Sequence, residues 1–425
     1  MEKFKEHLQK YLDEKTISSL IDSFSKKEQK GLFLNYLKIK DEEFLKEFPF
    51  VKLHPYVEHG YLYDKDDYNF GTSLIHELGG VYIQDPSAMI VSSLLPIDEN
   101  DLILDMCSAP GGKLVQASLA LQNKGQILAN DLSFSRALTL LSNVERMGLD
   151  NVTITSLDFK RIYKNLPNYF SKIILDAPCS GSGMFRKDEK MIKDWTYEKV
   201  IKNSITQKEL IDMAIYMLKE GGTLIYSTCS YSYEEDEEIV EYALNNHKDI
   251  HLININNNIK GYRDPSYEET IHLFPSINDG EGQYIAMFRK DGVLVNKELE
   301  PQLITKENKS KGGKRVIETY KVNHLFKDEI MKYAIRPGTF VSTTYDGKND
   351  LKYEHHYART QLFGKNCLNI SREDTLKLIK GEPIKVDSDL EHIFPTYNGL
   401  TIGYMSNKKG VSKNYYPKGL RKIIN

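Results

Sequence analysis

The chain has 425 residues, 28% of them charged and 40% in the hydrophobic set, which predicts an ordinary soluble globular protein of two or three domains rather than a disordered one. Lysine plus arginine (57) against aspartate plus glutamate (60) leaves a net charge of −3, so any nucleic-acid-binding surface must be local. No apolar run approaches the ~18 residues of a membrane span, and the N-terminal MEKFKEHLQKYLDEK has no secretory-signal core.

Four cysteines, Cys107, Cys179, Cys229 and Cys367, are too few for a disulfide framework in a chain this long. The reading is a reducing cytoplasm with free thiols.

Residues 1–75 open on a helical pattern (Phe4, Leu8, Tyr11, Leu12) and continue into an aromatic-rich stretch. Over 76–292 short β-rich runs alternate with helical spacing: Leu102–Leu104, Ile127–Ala129, Val152–Ile154, Lys172–Leu175 and Thr223–Tyr226 are the expected strands. Between them lie helix patterns such as Ala137, Leu140, Leu141, Val144 and Leu210, Met213, Ala214, Met217, Leu218. This alternation predicts a parallel sheet covered on both faces. Two further strands, around Ile271–Phe274 and Gln283–Phe288, are separated by a short turn and predict an antiparallel edge. A linker is expected over 293–316, where Glu307–Arg315 (ENKSKGGKR) is polar and carries a Gly pair. Residues 317–425 are expected to form a separate unit rich in Tyr and Lys. Its end has no acid after His392 but carries Lys408, Lys409, Lys413, Lys418, Arg421 and Lys422.

The five predicted parallel strands run into Asp105, Asp131, Asp158, Asp176 and Thr228-Cys229. Ligands of open parallel sheets lie beyond the carboxyl ends of the strands, so these polar residues converge on one crevice. One strand-end Asp is usually a cap; four in register with a thiol make a site. After the first strand, Cys107-Ser108-Ala109-Pro110-Gly111-Gly112-Lys113 leads into a helix whose N–H groups and glycines allow close approach of a ligand. The loop is neither a phosphate P-loop nor G-x-G-x-x-G. Asp131 ending the second strand suits a pair of ribose hydroxyls. An adenosine-type ligand without a pyrophosphate fits, and S-adenosylmethionine is the candidate. Cys107 and Cys367 have structural readings. Cys179 and Cys229 end strands expected to be neighbours, and the Ser180–Gly183 repeat reads as a pliable loop able to close over a substrate.

The segments DMCSAPGGK (Asp105–Lys113), LDAPCSGSGMFRKD (Leu175–Asp188) and YSTCSY (Tyr226–Tyr231) resemble the Sun/Fmu family of RNA cytosine carbon-5 methyltransferases. GVYIQDPSAM (Gly80–Met89) and DGEGQYIAMF (Asp279–Phe288) are similar to that family as well, and the ending GYMSNKKGVSKNYYPKGLR (Gly403–Arg421) resembles its bacterial type F enzymes acting on 16S rRNA. The resemblance implies an α/β fold: a Rossmann-like methyltransferase core with antiparallel edge strands, an N-terminal module that is RNA-recognition-like by analogy, and a C-terminal α+β, PUA-like RNA-binding domain. It implies that Cys107–Lys113 holds the methionine end of S-adenosylmethionine, Asp131 the ribose and Asp158 the adenine side, with Asp176 between cofactor and base. Arg136 matches a family arginine but equally reads as a helix-surface charge. Many relatives have Glu where NDLSFSR (Asn130–Arg136) has Asp131, so the charge is kept on a shorter arm.

Carbon 5 of cytosine is a poor nucleophile, so the ring is activated by thiolate addition at carbon 6 before it takes the methyl group. In the family the Thr-Cys thiol, here Cys229, is the nucleophile and the Pro-Cys thiol, here Cys179, helps release the product. Asp176 can accept from the exocyclic amine of cytosine, whereas the carbonyl of uracil would face it lone pair to lone pair. The target base must be flipped out or single-stranded. Arg186, Lys187, Lys190 and Lys193 after Cys179 read as either a solvated or a phosphate-contacting loop. The basic tail with Tyr404, Tyr415 and Tyr416 reads as a local RNA surface in which some tyrosines must be core. The expected partner is RNA, 16S rRNA or the small ribosomal subunit; no metal and no membrane are expected, and a monomer is the default. Competing readings are another rRNA or tRNA cytosine methyltransferase, a DNA cytosine methyltransferase using the Pro-Cys thiol, and a non-catalytic RNA-binding assembly factor.

Overall fold

The structure, a computed structural model, describes residues 1–187, 189–309, 315–345, 348–360, 364, 366–408 and 411–421. Two helices, Glu2–Leu8 and Glu14–Ser23, precede a four-stranded antiparallel sheet of β1 (Lys30–Leu34), β2 (Lys52–Leu53), β3 (Gly60–Tyr63) and β4 (Val81–Gln84), in the order β2-β3-β1-β4. The expected boundary at 75/76 is therefore corrected, because Val81–Gln84 pairs with β1 in register Leu34↔Val81 to Gly31↔Gln84. A short β-rich run announces a strand but not the sheet it joins. The two helices pack elsewhere: Phe4, Leu8, Ile17 and Leu20 are buried with Phe185, Trp195 and Tyr231, beside the segments that follow Cys179 and Cys229.

The parallel strands are β5 (Leu102–Asp105), β6 (Gln126–Asn130), β7 (Val152–Thr155), β8 (Phe170–Asp176) and β9 (Leu218–Thr228). β10 (Ile250–Leu252), β11 (Ile271–His272) and β12 (Tyr284–Lys290) add the antiparallel edge read from the sequence. Successive side chains of a strand point to opposite faces, and the sequence obeys this. Ile103, Ile127, Ile174, Ile225 and Ile285 enter one core. Leu104, Leu128, Leu175, Tyr226 and Phe288 enter the other. Helices on both faces bury these runs, as a parallel sheet requires.

The predicted linker is corrected too. β13 (Gln302–Lys309) and β14 (Arg315–Val322) form an antiparallel pair, and 310–314 lie outside the described residues. β13 is largely exposed, so no apolar alternation marked it. β15 (Ala334–Arg336) then returns to the central sheet and pairs antiparallel with β7, giving the order β10-β12-β9-β8-β5-β6-β7-β15 with β11 beside β12. Arg336 fixes it there: its guanidinium donates to the carbonyls of Val152 and Leu149 and to Thr339 Oγ1. β16 (Thr339–Tyr345) pairs with β14. Residues 317–345 are thus interlocked with the catalytic sheet rather than separate from it, and Phe326 and Ile330 fill its core.

The final sheet includes His392–Tyr397 and Met405–Lys408, and its Ile393, Leu400 and Met405, with Leu378 of the helix Arg372–Lys380, share one core with Leu32, Leu34 and Tyr61 of the N-terminal sheet and Phe44 of the helix Asp41–Glu47. Buried Arg359 joins the two, donating to the carbonyl of Glu77 and, at 3.1 Å, to the Tyr416 hydroxyl, which itself donates to Glu77 Oε1 at 2.6 Å. Among the described residues no helix is long and apolar enough to cross a membrane.

Candidate active site

β5 ends in buried Asp105, whose Oδ2 accepts from Ser108 Oγ at 2.8 Å while Oδ1 has no hydrogen-bond partner. Burial pushes this carboxyl up to about 7. The chain then turns through Gly111, at φ 111°, into the helix Gly112–Ala120. A Cβ on Gly112 would lie 2.9 Å from the Gln84 side chain, and one on Gly111 2.9 Å from Leu140 Cδ1. Gly111 is thus a conformational requirement of the turn, and a side chain at either glycine would have to displace the end of Leu140 or Gln84. Burial pushes the Cys107 thiol up, in keeping with a packing residue.

At the end of β6, Asp131 is buried; its Oδ1 accepts from the Ser133 N–H at 3.0 Å and its Oδ2 lies 3.3 Å from Arg136 Nη2. Arg136 also donates to the Ala109 carbonyl at 2.8 Å. It is thus more than a helix-surface charge, because it bolts the Cys107–Lys113 loop to Asp131. Asp158 caps the short turn Phe159–Arg161, accepting from Lys160 N–H at 3.1 Å.

Asp105, Cys107, Ser108, Ala109, Pro110, Gly112, Lys113 and Asp176 line one cavity of about 210 Å³, together with Tyr82, Gln84, Asp85, Ala88 and Lys187. Gly111, Asp131, Arg136 and Asp158 are not among its lining residues. Asp176, at the end of β8, is held from three sides: Lys113 Nζ at 2.8 Å from Oδ2, with Ser227 Oγ (2.7 Å) and Gln283 Nε2 (3.0 Å) donating to Oδ1.

Beyond Asp176, Cys179 Sγ and Cys229 Sγ are 2.9 Å apart, both as free, partly exposed thiols. The hydrogen bond with Cys229, reinforced by burial, raises the Cys179 thiol well above its ordinary range. The expected pliable loop is corrected: Ser182–Met184 is a pinned turn, with Gly183 N–H donating to the Cys229 carbonyl at 2.7 Å and Ser182 Oγ accepting from Tyr231 N–H at 2.9 Å. Alternating Ser and Gly suggests freedom, but buried donors and acceptors remove it.

Arg186 is also corrected. Its side chain is buried in an ion pair with Glu281 at 3.1 Å and donates to the Gly280 carbonyl, so it is neither solvated nor available to phosphate. Lys187 lies on the cavity wall, whereas Asp188 lies outside the described residues. In the tail, Tyr404 and Tyr416 are buried core; Lys413, Lys418 and Arg421 are exposed, and Lys409 and Lys422 lie outside the described residues.

Sequence reasoning missed three contributors. Asp85 reads as a helix cap before Pro86, and it does accept from Ser87 and Ala88 N–H, yet its Oδ2 also takes the Glu281 N–H at 3.0 Å and it borders the cavity. Gln283 and Glu235 carry no motif signal apart from the resemblance around them. Asp236, Glu237 and His272 form a buried acid–imidazole cluster behind Thr228, with His272 Nε2 to Glu237 Oε1 and Thr228 Oγ1 to Asp236 Oδ1 both at 2.5 Å, while Asp236 Oδ2 and His272 Nδ1 have no hydrogen-bond partner.

Comparison with known families agrees with this geometry. The family described as 16S rRNA methyltransferase RsmB/F matches residues 92–289, the N-terminal domain of 16S rRNA methyltransferase RsmF matches 1–86, and the methyltransferase RsmF PUA domain matches 365–422. The chain belongs to the RsmB/F family. A family relative from Vibrio atlanticus, ribosomal RNA small subunit methyltransferase F, is 29% identical over 95% of this chain and 93% of its own length. The Escherichia coli O157:H7 protein of the same name is 37% identical, but that match covers 56% of this chain and about half (51%) of the relative. Among solved structures, a methyltransferase homolog protein from Pyrococcus horikoshii superposes with a TM-score of 0.58 at 26% identity, over 67% of this chain and 93% of that one. NSun6 from the same organism, solved with SFG, has a TM-score of 0.62 at 21% identity over 69% of this chain and 99% of its own, a likeness of fold.

The cofactor of this RsmB/F methyltransferase fold is S-adenosylmethionine. The residues present suit it: an unpartnered carboxylate oxygen on Asp105, a second buried acid on the neighbouring strand, and a turn through Gly111 in the left-handed conformation.

Proposed function

We propose that this protein is a 16S rRNA cytosine carbon-5 methyltransferase in which Cys229 is the nucleophile and Cys179 assists release. The observation that carries the reading is the pair of thiols 2.9 Å apart, beside an Asp176 whose other neighbour is the cofactor loop through Lys113. One thiol suffices for simple adduct chemistry; two in contact suit a reaction that must make and then break a carbon–sulfur bond. The family match and the names of the relatives favour small-subunit rRNA as substrate, and the PUA match favours an RNA surface at the C-terminal end. An rRNA substrate puts the reaction in the cytoplasm, and a monomer suffices because one chain supplies every residue of the site.

S-adenosylmethionine supplies an electrophilic methyl group when bound. Asp105 and the open amides after Gly111 are assigned to its amino-acid end, and Asp131 to its ribose, with Arg136 keeping Asp131 and the loop in register. Asp158 is assigned the adenine side from the turn it caps. Asp176 keeps acceptor capacity after its three present partners, since a carboxylate offers about four lone-pair sites. It can therefore take the amine of cytosine and disfavour uracil. The Cys229 thiolate adds to carbon 6, carbon 5 takes the methyl group and loses its proton, and elimination returns the thiolate. Cys179 touches the departing sulfur and is placed to assist this elimination, in which the carbon 5 proton passes to water and the electrons of the carbon–sulfur bond return to Cys229.

The test is transfer from labelled S-adenosylmethionine to unmodified 16S rRNA and to small subunits, followed by nucleoside analysis. Label in 5-methylcytidine is expected. Cys229→Ala should abolish transfer and covalent RNA capture, whereas Cys179→Ala should accumulate a protein–RNA adduct on a denaturing gel. An adduct that survives Cys229→Ala and vanishes in Cys179→Ala would reverse the assignment.

A further inference from the structure

Each thiol is followed in sequence by a serine, and both serines turn to one carboxylate. Glu235 is fully buried. Its Oε1 accepts from the Ser180 N–H at 2.7 Å, and its Oε2 accepts from Ser180 Oγ at 2.5 Å and Ser230 Oγ at 2.6 Å. Gln207 Nε2 lies 3.3 Å from Oε1 and donates to the carbonyl of Pro178, the residue before Cys179, at 2.8 Å. The backbone of Glu235 is itself fixed, its N–H to the Ser232 carbonyl and its carbonyl to the Tyr226 hydroxyl of β9.

We propose that Glu235 is a positioning residue that clasps the Cys179 and Cys229 segments together and thereby sets the approach of their sulfur atoms. The β8 and β9 strands run side by side, with Asp176 opposite Ser227, but each chain leaves the sheet before its cysteine. Past the sheet, the ladder no longer holds the two segments at a fixed spacing. The direct backbone and hydroxyl links that replace it are the Gly183 N–H to Cys229 carbonyl bond, the Tyr231 N–H to Ser182 Oγ bond at 2.9 Å and a Ser180–Ser230 hydroxyl contact at 3.3 Å. Glu235 adds an acceptor that three donors from both segments share. A carboxylate is suited to this because it accepts on both oxygens and donates on neither. Alanine there would leave a buried N–H and two hydroxyls competing for fewer acceptors.

The catalytic consequence rests on the role of the two thiols given above, but the geometry can be read without RNA. Diamide, an azo oxidant reduced to its hydrazine as two thiols lose their protons and two electrons, joins cysteines only if their sulfurs meet. The full chain is treated with diamide, and the Cys179–Cys229 disulfide is followed by its 2 Da mass loss in the linking peptides. Wild-type protein is expected to close readily. Glu235→Ala should close roughly tenfold more slowly or worse and lose turnover by a similar factor, with S-adenosylmethionine affinity within about twofold. Glu235→Gln keeps one acceptor oxygen and the side-chain volume, and should recover most of both rates. A merely structural residue would instead lower cofactor affinity and thermal stability together without selective loss of closure. A folded Glu235→Ala with wild-type closure and turnover overturns the proposal. If that variant does not fold, Ser180→Ala/Ser230→Ala, which keeps Glu235 and removes two of its donors, takes its place; wild-type closure there also overturns it. Wild-type closure of the native protein with no transfer to RNA would count against the proposed function and leave the clasp standing.

Discussion

Asp105 illustrates how one buried carboxyl ties the cofactor site to stability. Its pKa of about 7 lies above the ~3.9 of an aspartate in an unfolded chain. The folded protein therefore holds a proton that the unfolded chain has released, and the stability this residue contributes is full below about pH 4 and lost as pH rises to about 7. Thermal melts of the cofactor-free protein should fall across that window, and Asp105→Asn should show a shallower fall; parallel curves would mean that the carboxyl is already ionised at low pH. At Gly111, alanine should cost at least roughly tenfold in cofactor affinity by calorimetry, because φ 111° is a conformation that L side chains rarely adopt. The cofactor loop, Asp176 and the two thiols were legible because each ends a strand, and strand ends converge. Glu235 and Gln283 were not, since their partners Ser180 and Asp176 lie 55 and 107 residues away and no local period links such pairs.

Among the elements, the short β-rich runs set between helical patterns made the five parallel strands readable, whereas β13 and β15 escaped. An exposed, charged edge strand has the composition of a linker, and a three-residue strand is shorter than any periodic signal. Arg336 is the fixing point of β15. Arg336→Ala should destabilise the protein by about 2–4 kcal/mol in chemical denaturation, because it strips partners from buried carbonyls on both Leu149 and Val152. A loss below about 0.5 kcal/mol would mean that strand pairing alone holds β15 in place.

For the molecule as a whole, shared cores replace the separable units that composition suggested. The N-terminal sheet and the last sheet bury one another's apolar faces, and Phe326 and Ile330 complete the catalytic core. Cutting the chain at 316 should therefore abolish a cooperative melt and cofactor binding together, rather than weakening RNA binding alone. A truncated chain that stays monomeric with native cofactor affinity would show that these contacts are dispensable.

The pairing of β15 with β7 also bears on how the protein is made. A ribosome delivers β7 long before residues 334–336 exist, so the flank of the catalytic sheet stays open through much of translation. An unpaired strand edge is a template for other chains. The nascent protein thus completes its catalytic sheet late, and a prematurely terminated product is left with a bare flank, exposed to aggregation and to the cell's quality-control machinery.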